Sequence, residues 1–207
     1  MKIGIMGGTF DPIHNGHIML GEYAKDLFAL DEVWFMPNGN PPHKLNSKIE
    51  SQTNHRVAMV KAAIEGKDGF KVQLYEVDRK EVNYSYLTMT RFNEIYPENE
   101  FYFIIGADSL FAFESWKHPE LLVKQCVLLA AYRDGKNTSE METQIQYLND
   151  KYGADIRLLS TPNVEISSSE IRKKIKLGED IKAFIPESVY SYIQTNNLFK
   201  DDENESV

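Results

Sequence analysis

The chain is poor in cysteine and in positive charge, and it has no long apolar run. Its 207 residues include one cysteine, Cys126. No intramolecular disulfide can form, and a reducing cytoplasm is the expected setting. Cys126 lies in the apolar string CVLLAA, where a small buried thiol is the ordinary occupant. No apolar stretch approaches the ~20 residues that a membrane-spanning helix needs. The opening MKIGIMGG is too short an apolar run for a secretory leader, so no membrane partner is expected. Lys and Arg number 23 against 31 Asp and Glu, a net charge of −8. Such a field repels a nucleic-acid backbone, and nucleic acid is not expected as a partner. A small acidic molecule is still admissible, because binding one needs only local positive groups.

Hydrophobic residues make up 42% of the chain and aromatics 12%, enough for a substantial core. Short, nearly continuous apolar runs at 2–6, 32–36, 70–75, 100–105, 127–132 and 155–159 read as strands covered on both faces. Between them, helical patterns fall at 15–29, 54–66, 84–97, 118–125 and 138–152, and two more at 168–178 and 186–196 close the chain. This alternation predicts an α/β fold: a Rossmann-like, doubly wound, mostly parallel sheet with helices on both faces. No repeat or linker is evident, so residues 1–200 are expected to form one domain. The acidic string DDENESV at 201–207 is expected to be a solvated, frayed tail.

The first strand runs straight into Gly7-Gly8-Thr9-Phe10-Asp11-Pro12-Ile13-His14-Asn15-Gly16-His17. This is the first βα turn, at the carboxyl edge where such sheets bind ligands. Gly7 and Gly8 lack a Cβ, so a phosphate or ribose could lie against their backbone. Asp11 before Pro12 reads as a helix entry, with the Asp accepting from free amides. His14 and His17 are three apart and share a helical face. Beside the unpaired amides of a helix start they would make a polyphosphate cradle. The order does not fit the dinucleotide fingerprint G-x-G-x-x-G, and it lacks the third ligand usual for zinc. A tight turn whose histidines merely cap or pack is the plainer alternative.

A second string, Ile166-Ser167-Ser168-Ser169-Glu170-Ile171-Arg172, precedes the last but one helical run. Ser168 or Ser169 could cap that helix and offer a hydroxyl to phosphate. Arg172 could pair bidentately with phosphate oxygens. Alone, this could equally be a capped helix with a surface arginine.

Gly8-Thr9-Phe10-Asp11-Pro12 followed by His14-Asn15-Gly16-His17 resembles the signature of the nucleotidyltransferase superfamily with the H-x-G-H motif, which is related to class I aminoacyl-tRNA synthetases. The second string resembles that superfamily's ATP-binding I-S-S-[ST]-x-[IL]-R. The closing pattern of Phe184-Ile185-Pro186, Val189-Tyr190 and Tyr192-Ile193 resembles the bacterial nicotinate-mononucleotide adenylyltransferases, and that likeness extends over essentially the whole chain. The resemblance implies transfer of the adenylyl group of ATP to nicotinate mononucleotide, giving deamido-NAD and pyrophosphate. It implies His14, His17 and Arg172 as catalytic residues. Gly7, Gly8, Thr9, Phe10, Gly16, Ile166, Ser167, Ser168 and Ser169 would bind ATP.

The acceptor is a separate question. The loop after the second strand reads Asn38-Gly39-Asn40-Pro41-Pro42-His43-Lys44. Two prolines stiffen it, and Lys44 offers a point charge to a phosphate. Gly106-Ala107-Asp108 follows the fourth strand, where a carboxylate could accept from ribose hydroxyls or cap the next helix. Trp116, in FESWKHPELL, could stack on a pyridinium ring. The resemblance makes Asn38, Asn40, Lys44, Ser85, Gly106, Asp108 and Trp116 the acceptor-binding set. His43 and Arg133 match family positions without an assigned role. The chain departs from the family where Leu87 stands in place of a usual Asp.

The resemblance makes phosphate the nucleophile, and a phosphomonoester has a second pKa near 6. It is mostly dianionic at neutral pH, so no general base is required, and the sequence offers no obvious nucleophile–base pair. Catalysis would rest on positioning and on stabilising the leaving pyrophosphate. Mg²⁺ is the expected cofactor, held through ATP phosphates and water, with no protein metal ligands. Two rivals stay open: the same chemistry on nicotinamide mononucleotide or another phosphate acceptor, and a nucleotide-binding module without turnover. Homo-oligomerisation is compatible with the sequence.

Overall fold

The computed structural model describes residues 1–39, 50–79, 82–133, 138–162 and 166–200. Six strands form a single parallel sheet: β1 (Lys2–Gly8), β2 (Glu32–Pro37), β3 (Phe70–Val72), β4 (Glu100–Gly106), β5 (Val127–Arg133) and β6 (Ile156–Thr161). Their order is β3-β2-β1-β4-β5-β6. The chain first winds outward from β1 to β3, then returns to the other side of β1 with β4. A crevice opens outside the carboxyl ends of β1 and β4, where the winding reverses. The register there pairs Ile5 with both Trp34 and Phe103.

Eight helices accompany these strands among the described residues: α1 (Asn15–Leu27), α2 (Thr53–Ile64), α3 (Ser85–Ile95), α4 (Ala107–Phe111), α5 (Pro119–Leu122), α6 (Thr138–Tyr152), α7 (Ser168–Lys176) and α8 (Glu187–Thr195). A 3₁₀ turn at Phe113–Ser115 precedes α5. Alternate residues of each strand face opposite ways, and this divides the core in two. Met6, Val33, Phe35, Ile104, Leu129 and Leu159 pack against α1, α2, α7 and α8. Ile3, Ile5, Trp34, Phe103, Leu128 and Ile156 pack against α3 to α6. Because both faces are covered, the inner strands are apolar almost throughout, while the edge strands β3 and β6 expose Lys71, Arg157 and Ser160.

The expected fold class holds, and each expected strand is present. The third is shorter than its apolar run: it stops at Val72, and the chain turns at 75–78. α4 and the 3₁₀ turn were not expected. Five residues of ADSLF are too few to show a helical period. No helix among the described residues is long and apolar enough to cross a membrane. Asn40, His43, Lys44 and the acidic 201–207 string lie outside the described residues, as does the side chain of Arg133.

Candidate active site

β1 ends at Gly8, and six residues of turn carry the chain to α1. The helix begins at Asn15, where the helical pattern puts it, with His14 as its N-cap; the Asp11–Pro12 entry signal lies in the turn before it. The Asp11–Pro12 peptide is cis. Asp11 is 3% exposed, and its carboxylate does not serve the amides of α1. It accepts instead from the backbone N–H of Glu50 at 2.9 Å and of Ser51 at 3.3 Å, and from the Ser51 hydroxyl. Asp11 thus ties the turn to the start of the α2 region.

His14 and His17 come together as their spacing requires. Their rings stack with centroids 3.8 Å apart at 29°, and the His14 amide donates to His17 Nδ1 at 3.3 Å. Gly16 makes room for this pair, since a Cβ there would stand 3.0 Å from His14 Nδ1. Phe10 meets His17 edge to face, with centroids 5.0 Å apart. Its backbone sits at φ 50°, and its side chain is 2% exposed. Phe10 therefore backs His17 from the core, and its ring is not on the cleft wall.

A Cβ on Gly8 would lie 2.9 Å from the Phe10 ring. The Phe10 ring occupies the space that a side chain at Gly8 would need. Gly7 is different: the nearest atom to a Cβ would be 3.7 Å away. Internal packing does not demand a glycine there, and the bare backbone faces the crevice.

The second motif docks on the first. Ser167 caps α7 by accepting from the Glu170 amide at 3.2 Å, and its hydroxyl donates to the Glu170 carboxylate at 2.7 Å. The cap is thus Ser167, not Ser168 or Ser169. This reciprocal pairing leaves Ser168 available for another contact: it donates to the Pro12 carbonyl at 2.9 Å. Arg172 Nη1 donates to the Asp11 carbonyl at 2.7 Å. Two segments more than 150 residues apart in sequence are thereby bonded together. Residues 183–184 close the same corner, receiving hydrogen bonds from the Asn15 amide and side chain.

The crevice they border is a cleft of about 790 Å³. His14, Gly16 and His17 form one wall, Ser167 and Ser168 another. Gly106 and Asp108 complete the rim at the end of β4, and Ile104, Ala131 and Ile166 give an apolar floor. Asp108 is exposed in the first turn of α4, whose N-cap is Gly106. The cleft combines polar donors at one end with apolar surface deeper in, a division suited to a nucleotide. Among the described residues, no three or more His, Cys, Asp or Glu side chains gather as metal ligands.

Other candidates stand off this cleft. Thr9 and Asn38 lie together at the ends of β1 and β2, with Asn38 Nδ2 3.5 Å from Thr9 Oγ1. Ser85 opens α3. Trp116 is half-buried against Phe113 and Phe103, with ring centroids 5.6 and 6.4 Å away. Ser169 bonds Ser167 at 3.1 Å. Arg172 is not on the cleft wall either. Its Nε lies 3.3 Å from the Glu50 carboxylate.

The family model described as cytidylyltransferase-like matches residues 5–174. The chain belongs to that family. A Lachnoclostridium phytofermentans protein named "Probable nicotinate-nucleotide adenylyltransferase" is 42% identical over 96% of this chain and 98% of its own. A Clostridium tetani protein of the same name is 41% identical over 96% and 99%. Among solved structures, the Plasmodium falciparum nicotinic acid mononucleotide adenylyltransferase complexed with NaAD is 26% identical. It covers 96% of this chain and 97% of its own, with a TM-score of 0.76. The same enzyme complexed with APC gives 25% identity and a TM-score of 0.74, covering 96% of each chain.

Within this cytidylyltransferase-like frame, sequence reasoning missed two groups of residues. Tyr132 and Thr161 line the cleft from β5 and β6, and the Thr161 hydroxyl donates to the Tyr132 carbonyl at 3.1 Å. They belong to strands whose apolar runs gave no hint of a site. Arg56 is 1% exposed. Its guanidinium donates to the carbonyls of Thr9 at 2.7 Å and Asn38 at 2.8 Å, and to the Thr53 hydroxyl at 3.0 Å. It clamps the ends of β1 and β2. Within NHRVAM it looks like any charge on an exposed helix face. Only the fold shows that it points inward.

Proposed function

We propose that this chain transfers the adenylyl group of ATP to nicotinate mononucleotide, releasing pyrophosphate and forming deamido-NAD. The observation that carries the reading is the direct bonding of the α7 motif to the His14–His17 turn through Ser168 and Arg172. That junction sets two histidines, two serine hydroxyls and a helix start around one cleft, at the reversal of a parallel sheet. The names of the relatives and the complexes of the structural neighbours with NaAD and APC support the same substrates.

In this reading the acceptor phosphate attacks the α-phosphorus of ATP and the bond to the bridging oxygen of pyrophosphate breaks. No proton has to be removed from the nucleophile, since the phosphomonoester is mostly dianionic at pH 7. His14 and His17 stabilise the charge that grows on the leaving group, with Arg172. Gly7, Gly16, Ile166, Ser167 and Ser168 hold the nucleotide against the cleft wall. Asp108 accepts from ribose hydroxyls. Ser85, at the amino end of α3, and Trp116 take the nicotinate ring, the helix start favouring its carboxylate. Mg²⁺ suits a site of this composition as a companion of ATP held by phosphate oxygens and water, where it would offset the triphosphate charge. A cytoplasmic location belongs to the same reading. It is supported by the single cysteine, Cys126, which has no second thiol in the sequence to pair with.

The test is pyrophosphate release from ATP with nicotinate or nicotinamide mononucleotide as acceptor. We expect kcat/KM to favour the nicotinate nucleotide by at least about tenfold, the scale set by one correctly paired charge in a built site. Equal rates with the nicotinamide nucleotide would refute the acceptor assignment. ATP binding with no pyrophosphate formed from either would replace the transferase with a binding module.

A further inference from the structure

We infer that Glu50 is an internal stand-in for phosphate: its carboxylate engages the cations of α7 that would otherwise hold the ATP triphosphate, and so it lowers the affinity for ATP. The inference rests on the role proposed for Arg172.

Arg172 Nε is 3.3 Å from Glu50 Oε1, and Lys176 Nζ is 3.1 Å from Glu50 Oε2. Each carboxylate oxygen therefore faces one cation. Lys176 follows Arg172 by four residues, so both project from one face of α7. Glu50 is delivered to this face by its backbone. The amides of Glu50 and Ser51 are both held by the buried Asp11 carboxylate. Arg172 in turn donates to the carbonyl of that same Asp11. A compact clasp results: the signature turn anchors residues 50–51, and from there the Glu50 side chain spans to α7.

The Glu50 and Arg172 side chains are 24% and 19% exposed, so solvent and salt screen the pair less than one on the open surface. Burial alone would raise the Glu50 carboxyl, but its contacts with Lys176 and Arg172 outweigh that and hold it below the usual carboxylate value. It is an anion at neutral pH. An anion bridging an arginine and a lysine one helical turn apart on α7 marks a cation pair that phosphate oxygens can occupy. Together with the Nη1 bond to the Asp11 carbonyl, it holds Arg172 off the cleft wall. Phosphate carries more charge and more acceptor oxygens than a carboxylate, so nucleotide can take over these cations, at the cost of breaking the internal pair.

The experiment compares Kd for a non-hydrolysable ATP analogue in wild type, Glu50→Gln, Arg172→Gln and the double variant, by titration calorimetry. Glutamine keeps the shape of Glu50, and the backbone clasp to Asp11 does not depend on its side chain. We expect E50Q to bind the analogue about three- to tenfold more tightly, the range for one partly screened ion pair. R172Q should bind more weakly, and in its background E50Q should change Kd by less than about twofold, the non-additivity expected of a shared contact. Unchanged or weaker binding by E50Q overturns the inference, and if R172Q is still weakened the proposed role of Arg172 survives it. Unweakened binding by R172Q removes that role and the inference together. A tightening that persists undiminished without Arg172 also overturns it.

Discussion

His14 and His17 are the residues whose chemistry can be read most directly from spacing. Three positions apart at a helix start, two side chains must meet, and they do so as a stack 3.8 Å between centroids. If they act on the leaving pyrophosphate, their effect is on charge that develops during transfer, not on acceptor binding. His17→Ala should then lower kcat by about 10²–10³, the scale of losing one preorganised donor, while the KM for nicotinate mononucleotide moves by no more than about threefold. Steady-state kinetics in both substrates decides this, and an unchanged kcat sinks the assignment. What spacing could not supply was direction. Asp11 reads as a helix cap from its position before Pro12, yet its carboxylate serves Glu50 and Ser51, about forty residues away. Phe10 reads as part of a binding loop, yet its ring backs His17 from the core. Long-range partners of this kind leave no mark on local sequence.

Between elements, two buried ionisable residues hold the scaffold around the site, and neither stood out in the sequence. Arg56 joins the ends of β1 and β2 by donating to the carbonyl oxygens of Thr9 and Asn38. Burial lowers its affinity for a proton and the nearby Asp11 charge raises it, but an arginine stays charged under either influence. Arg56→Met should cost about 3 kcal/mol in urea unfolding, because it removes a buried charged donor from three acceptors at once. Arg56→Lys should recover only part of this, since an ammonium cannot reproduce the fork. Glu76 is the second case, 7% exposed and accepting from the Thr88 hydroxyl at 2.9 Å. It links the 75–78 turn to α3, the helix that begins at Ser85. Burial raises its carboxyl above the ordinary value, and the Thr88 bond only partly opposes this. The folded state therefore holds that proton more tightly than the unfolded chain does. The contribution of Glu76 to stability is largest below the unfolded pKa and falls as pH rises through the folded one. Glu76→Gln can still accept from Thr88 and has no proton to lose. Relative to wild type it should gain stability progressively as pH is raised from about 4.5 toward neutrality, the lower bound being the ordinary carboxyl value. Urea midpoints across that range would show it, and parallel curves for the two proteins would rule it out.

For the molecule as a whole, legibility followed the physics of burial. The strands could be read because a parallel sheet covered on both faces selects continuous apolar runs, and EFYFII and VLLAAY have little else to become. Longer helices announced themselves by period. α4 was too short to do so, and FKVQLY promised more strand than edge position β3 delivers. The cleft's far wall, Tyr132 and Thr161, was hidden inside runs already accounted for as strand. The two cores on opposite sides of the sheet raise a further question, whether residues 1–200 act as one unit. β1, β2, β4, β5 and β6 each contribute side chains to both clusters, so neither face can melt without stripping the sheet from the other. The carboxyl-terminal helices reinforce this coupling. α8 packs on α2, the Tyr192 hydroxyl meets His55 Nδ1 at 3.0 Å, and Ser188 donates to the Ala62 carbonyl at 2.8 Å. The last described elements thus hold an early one in place. Both tryptophans, Trp34 and Trp116, lie with the α3–α6 cluster, so fluorescence reports one face while far-ultraviolet circular dichroism reports all helices. A single cooperative unit requires the two signals to give the same urea midpoint and slope. Separate transitions, with helix signal persisting after the tryptophans are exposed, would mean that α1, α2, α7 and α8 keep their own core and that the chain holds two folding units.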